Sequence, residues 1–156
     1  MLAVKLFIQR HGKAGDGYPD EIRELTDRGC REVRQVAENS LTEITKLSMP
    51  LLELQASPLV RAQQTANIVA DVFSFSGQIT INDCLTPWSV PQDFLNSLDD
   101  SLDAVFAASH QPFVGELVTY LTGERAEVPT STLFGIELNY PAEGGGQLLW
   151  YLTPQR

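Results

Sequence analysis

The sequence predicts an α/β domain with a mostly parallel sheet covered on both faces, and three observations support it. Short apolar runs of strand length alternate with longer segments whose apolar residues recur at helical spacing. The runs are mostly apolar, Ala104–Ala108 wholly so, as expected of strands buried on both faces. The alternation closes with two strand-like runs joined by a glycine-rich turn, the pattern of an antiparallel C-terminal strand pair.

Val4–Gln9 is the first strand, cut off by His11-Gly12, and Gly12 to Pro19 is loop with further glycines at 15 and 17. Thr26 is placed to N-cap a helix whose buried face carries Gly29, Val33, Val36, Ala37 and Leu41. Both charge signs on its other face read as a solvated surface. Leu51–Ala56 is a second strand ended by Ser57-Pro58. A helix follows from Arg61 to Phe73, with Ala62, Ala66, Val69, Ala70 and Phe73 on its inner face. Ile79–Ile81 is a third, short strand, and Pro91 to Asp99 a short helix with proline in its first turn. Ala104–Ala108 is a buried strand ended by Ser109-His110, and Phe113–Leu121 a helix. Phe134–Tyr140 and Gln147–Leu152 form the closing pair, with Phe134 and Trp150 as sheet-packing aromatics. Gly144-Gly145-Gly146 has no helix downstream, so it fits a hairpin turn better than a phosphate loop.

Composition bounds the function. The 156 residues are 43% hydrophobic and 20% charged, as expected of one globular domain spanning 1–156, with no repeat, linker or low-complexity tract. No apolar run approaches the roughly 20 residues that span a bilayer, and the first eight residues are too short for a signal-peptide core. The expectation is a soluble cytoplasmic protein. Cys30 and Cys84 have no metal-ligand spacing and read as reduced, partly buried thiols, which argues against a zinc site. A net charge of −9 argues against wholesale binding to nucleic acid or anionic membrane. Arg10, Lys13, Arg23 and Arg61 would gather into a basic pocket suited to a small anion.

The chemistry lies at the strand ends. Arg10-His11 follows the first strand, Ser57 and Arg61 the second, and Ser109-His110 a later one. Ligands in open α/β sheets bind outside the carboxyl ends of strands, so the topology would bring both histidines and at least two arginines together. That set suits phosphoryl transfer to histidine. A neutral imidazole attacks phosphorus and forms a covalent phosphohistidine, while arginine forks hold the oxygens and stabilise the transferring group. The same cations should lower the pKa of His11, and a carbonyl of the Gly12 loop could fix its tautomer by accepting the other ring N–H. Gly12 itself would let the backbone turn away from the strand end.

These residues resemble the histidine phosphatase superfamily, which includes the phosphoglycerate mutases. Leu6-Phe7-Ile8-Gln9-Arg10-His11-Gly12 looks like its Arg-His-Gly signature, and the run from Ala56-Ser57-Pro58 through Arg61-Ala62 to Thr65-Ala66 resembles its second motif. Ala108-Ser109-His110-Gln111-Pro112 is similar to the third. The short length, Arg23-Glu24-Leu25-Thr26-Asp27-Arg28-Gly29, Leu85-Thr86-Pro87 and Trp150-Tyr151-Leu152-Thr153-Pro154 are most similar to the SixA-type phosphohistidine phosphatases. The resemblance implies a three-layer α/β/α sandwich of the phosphoglycerate mutase-like kind, no metal or organic cofactor, and His11 as nucleophile. It also implies Arg10, Arg61 and His110 as its catalytic partners, with Arg23, Ser57 and Gly12 at the bound phosphate. The partner it implies is a phosphohistidine-bearing protein, such as a histidine-containing phosphotransfer domain, met by a monomer.

One departure narrows the substrate. Mutases and many sugar-phosphate phosphatases carry a glutamate after the third strand that protonates an alkoxide leaving group. Here that region reads Asn82-Asp83-Cys84-Leu85-Thr86-Pro87-Trp88. General-acid help is worth roughly 10²–10⁴-fold, and a P–N bond leaving as imidazole needs less of it than an ester. Asp20 and Asp83 are the candidate proton donors. The rival functions are a small-molecule or broad-range phosphomonoesterase using the same residues and a phosphate-binding module without turnover. Single residues have plainer readings too: His110 as a helix cap, Ser57-Pro58 as a helix-start signal, Arg23 paired with Glu21 or Asp27, and Lys13 solvated at the rim.

Overall fold

The computed structural model describes residues 3–47 and 51–155. Its strands are β1 (Val4–Arg10), β2 (Leu52–Ala56), β3 (Thr80–Ile81), β4 (Ala104–Ser109), β5 (Leu133–Leu138) and β6 (Gly146–Leu152). Its α-helices are α1 (Asp27–Ile44), α2 (Val60–Val72), α3 (Pro91–Asn96) and α4 (Phe113–Thr122). They form one six-stranded sheet in the order β3-β2-β4-β1-β5-β6. The β1–β4, β2–β4 and β2–β3 pairs are parallel. Strand β5 runs antiparallel to both β1 and β6, so the antiparallel part reaches one strand further than the closing hairpin.

The two core clusters show why the sheet is covered on both faces. Leu6, Ile8, Val105 and Phe134 point to α3 and α4, where they meet Phe94, Phe113 and Leu117. Phe7, Leu54, Phe106 and Leu133 point the other way, onto Val33, Val36, Ala62 and Val69 of α1 and α2. The result is an α/β/α sandwich. Each fully buried Leu or Phe contributes about 1.5–3 kcal/mol, so β1 and β4 stabilise the fold through both of their faces.

Local signals hold at several ends. Thr26 Oγ1 accepts the Gly29 N–H at 3.0 Å and caps α1. Pro91 opens α3, but the helix stops at Asn96 rather than Asp99, because Ser97 turns its N–H and hydroxyl back onto Phe94 O. Gly144, at φ 76, makes the left-handed residue of the β5–β6 turn. Trp150 lies over Gly135 and stacks on Phe7 at 5.8 Å, a packing role. Two 3-10 turns, Asp20–Ile22 and Asp83–Leu85, lie outside the elements read from the sequence. Cys30 and Cys84 are half-buried free thiols. Among the described residues no helix is long and apolar enough to cross a membrane.

Register positions the chemistry. Arg10 lies opposite Ser109 and Ala56 opposite Ala108, so β1, β2 and β4 end within a residue of one another. The next residues leave together: His11 N–H bonds Ser109 O at 2.9 Å, and Ser57 N–H bonds Ala108 O at 3.0 Å.

Candidate active site

His11 and His110 meet above the ends of β1 and β4 with ring centroids 5.0 Å apart. Both are buried. His11 Nδ1 is 2.7 Å from Gly12 O, an acceptor only, so this nitrogen carries the proton. Arg61 Nε–H donates to His11 Nε2 at 3.3 Å, which requires a lone pair there. The ring is therefore neutral, with Nε2 as its nucleophilic atom. Burial is the largest cause that pulls its pKa down to about 4; the Gly12 carbonyl opposes it, and Arg61, Arg10 and Arg23 add to it. Sequence reasoning named the cations as the cause; burial outranks them.

Gly12 is needed for a different reason from the one expected. A Cβ here would lie 2.7 Å from Val33 Cγ2 and 2.9 Å from Gly29 O, so the residue lets α1 approach the strand end. Its N–H bonds Thr65 Oγ1 at 3.1 Å, and the same hydroxyl donates to Arg61 O at 2.8 Å. Thr65 thus joins the nucleophile's loop to the helix that carries Arg61. Sequence reasoning gave it no role, although it follows Arg61 by four residues and so shares its helix face.

Arg61 is buried and engaged at every nitrogen. Beyond His11, its Nη1 donates to Asp20 O at 2.9 Å and its Nη2 to Asp20 Oδ2 at 3.1 Å. Arg23 donates Nε to Asp20 Oδ1 at 2.8 Å and Nη1 to Gly15 O at 3.1 Å. Its ion-pair partner is Asp20, neither Glu21 nor Asp27, and it acts on His11 through its field rather than by contact. The hydrogen bond from Arg23 is the main cause that lowers the Asp20 pKa. Asp20 is therefore an ionised carboxylate and does not suit the proton-donor role. Asp83 is exposed on its 3-10 turn, which touches the strand ends through Leu85 O, the acceptor of the Ser109 hydroxyl at 2.6 Å.

Arg10 approaches from the other side. Its Nη1 donates to Val128 O at 2.7 Å, while its Nε is buried without a partner among the described residues. His110 Nε2 lies 2.8 Å from Ser57 Oγ, and its Nδ1 likewise has no partner. Its pKa is lowered to about 3, by burial first and then by His11 and Arg61, so the ring is neutral. The cap reading survives only for its backbone, whose carbonyl takes the Val114 N–H; the imidazole goes to Ser57. Ser57 Oγ also accepts the Leu59 N–H at 3.2 Å, so it is a helix-start signal and a prop for His110 at once. Unpaired buried polar groups cost about 1–3 kcal/mol each, and here they are the Arg10 Nε–H and one ring nitrogen of His110. The set can hold a tetrahedral oxyanion against a neutral imidazole. Lys13 is exposed at the rim.

The chain matches no protein-family model. It is 30% identical to the phosphohistidine phosphatase SixA of Escherichia coli (strain K12), over 97% of this chain and 94% of the relative. It is also 30% identical to the SixA homolog of Haemophilus influenzae (strain ATCC 51907 / DSM 11121 / KW20 / Rd), over 94% of this chain and 88% of that one. A solved structure of the protein histidine phosphatase SixA complexed with tungstate superposes with a TM-score of 0.79 at 30% identity, covering 97% of each chain.

Proposed function

The chain belongs to the SixA phosphohistidine phosphatase family, and from that premise we propose that His11 takes the phosphoryl group of a phosphohistidine carried on a protein. Arg10, Arg61 and His110 hold the transferring oxygens. One observation supports this assignment above the rest: the His11 ring is neutral, with Nδ1–H tied to Gly12 O and Nε2 turned to Arg61.

The reaction runs in two displacements. His11 Nε2 forms a bond to phosphorus as the bond to the substrate imidazole breaks, and that ring leaves with the electron pair. The new phosphoimidazole is positively charged, and the Gly12 carbonyl stabilises it through the Nδ1–H it already accepts. Arg61 and Arg10 offset charge on the equatorial oxygens, and neutral His110 adds a hydrogen bond without repelling His11. Water then forms the P–O bond, His11 Nε2 leaves, and inorganic phosphate departs. A substrate imidazole protonated at its other nitrogen leaves as a neutral ring, so the first step needs no protein acid. The ionised Asp20 and the absence of a glutamate from 82–88 fit that chemistry better than ester hydrolysis.

The test compares turnover of a histidine-phosphorylated phosphotransfer domain with turnover of sugar phosphates. We expect the phosphoprotein to be preferred and the His11→Ala variant to lose the activity. Preference for the esters would favour a phosphomonoesterase instead.

A further inference from the structure

Nine large hydrophobic residues are exposed among the described residues, and five of them, Tyr18, Ile22, Ile81, Trp88 and Val90, lie on the segments that adjoin the site residues along the chain. Single exposed apolar residues are ordinary, but their gathering at one place is not. Connectivity fixes their positions. Tyr18 and Ile22 stand two residues either side of Asp20, so each Cα is within about 7 Å of the residue clasped by Arg61. Trp88 is three residues from Leu85, whose carbonyl takes the Ser109 hydroxyl at the end of β4, so its Cα lies within about 11 Å of the Leu85 Cα. Val90 lines a shallow groove of about 220 Å³ with Trp88. Ile81 ends β3, beside the Asn82 N–H that bonds Ala56 O.

Both segments are braced rather than loose. Asp20 is held by two arginines, and the Trp88 turn is knotted by Ser89. That hydroxyl meets the Thr86 N–H at 2.9 Å, the Thr86 hydroxyl at 2.6 Å and Asp83 O at 3.3 Å. Yet Tyr18 is 94% exposed and Trp88 72%, so the bracing presents these aromatics to solvent without covering them. Uncovered aromatics on braced turns are the kind of side chain that anchors protein interfaces.

We propose that Tyr18 and Ile22 on one side, and Trp88 and Val90 on the other, form an apolar collar that docks the folded protein whose phosphohistidine enters the pocket. This rests on the phosphohistidine phosphatase reading. An imidazole is a short tether, so the backbone that carries it must come within one side chain's length of His11. The surface around that histidine then covers the collar. The same two segments expose the carboxylates of Asp16, Glu21, Asp83 and Asp93 against the single exposed cation Lys13. The fitting partner face is therefore apolar next to its phosphohistidine and carries lysine or arginine around that patch.

The experiment pairs two substrates with one double variant, Tyr18→Ala/Trp88→Ala. The substrates are a histidine-containing phosphotransfer domain phosphorylated with phosphoramidate, and free phosphohistidine. Loss of two anchors should lower kcat/KM for the domain by roughly 30-fold and change that for free phosphohistidine by less than about twofold. Equal loss on both substrates, or none on the domain, would overturn the collar. So would a wild-type preference for free phosphohistidine over the domain. Turnover of neither by the wild type would instead remove the phosphatase reading, and the collar with it.

Discussion

The imidazole of His11 is held at both nitrogens, and each bond sets a different property. Gly12 O chooses the tautomer, and Arg61 marks the spot where a phosphoryl oxygen would displace the guanidinium contact. A folded pKa of about 4, against 6.5 for a free ring, keeps His11 competent through the neutral range. With two histidines in the chain, ring-proton NMR can follow both separately. We expect each to stay neutral well below pH 6, and a midpoint near 6.5 for His11 would contradict the burial seen here. Arg61→Ala should cost roughly 10²–10³ in kcat/KM, as removal of an oxyanion donor does. Lysine should not restore it, since one ammonium cannot face His11 while forking to Asp20. Inorganic phosphate, the product, should raise the unfolding midpoint of the wild type and not of Arg61→Ala; equal shifts in both would place the anion elsewhere. The convergence of Arg10, His11, Arg61 and His110 was legible because each stands at or just after a strand end or in the first turn of a helix, amid strong local signals. Asp20 was not legible as the partner of Arg61, since 41 residues separate them and only the fold closes that gap.

At the scale of elements, the junction of β1 with α1 carries the most geometry. Gly12 and Gly29 remove the side chains that would keep helix and strand end apart, and Thr26 fixes where the helix starts. Gly12→Ala should destabilise the fold by about 1–3 kcal/mol, because the Gly29 carbonyl it meets is backbone and cannot swing aside. The contrasting change is Gly15→Ala, whose nearest contacts would be at 3.9 Å and which should stay within about 0.5 kcal/mol. Urea unfolding measures both, and equal effects would show that close approach is not what Gly12 supplies. The strands and long helices could be read in advance because period and capping are local. The two 3-10 turns could not, because what holds them is tertiary: Arg61 for Asp20–Ile22, and the ends of β2 and β4 for Asp83–Leu85. The collar shares that origin, as exposed apolar residues have no pattern until the turns bring them to one rim.

For the whole molecule, the sheet order does what no single segment announces. Inserting β4 between β1 and β2 aligns three strand ends, and the two histidines arrive from positions 99 residues apart in about one pocket's width. Burying two neutral imidazoles also gives stability a pH dependence. The unfolded chain takes up protons near 6.5, while the folded rings resist them to about 4 and about 3. Stability from this source is complete above 6.5 and declines as pH falls through the window between. Denaturant midpoints measured from pH 7.5 to 4.5 should show that decline, and a His11→Ala/His110→Ala protein should show much less of it. The most direct test of the account is a rapid quench of the enzyme with a radiolabelled phosphohistidine protein, followed by acid and alkali treatment. The account predicts label on the wild type that is acid-labile, base-stable and absent from His11→Ala; full turnover by His11→Ala, or label on another residue, would contradict it.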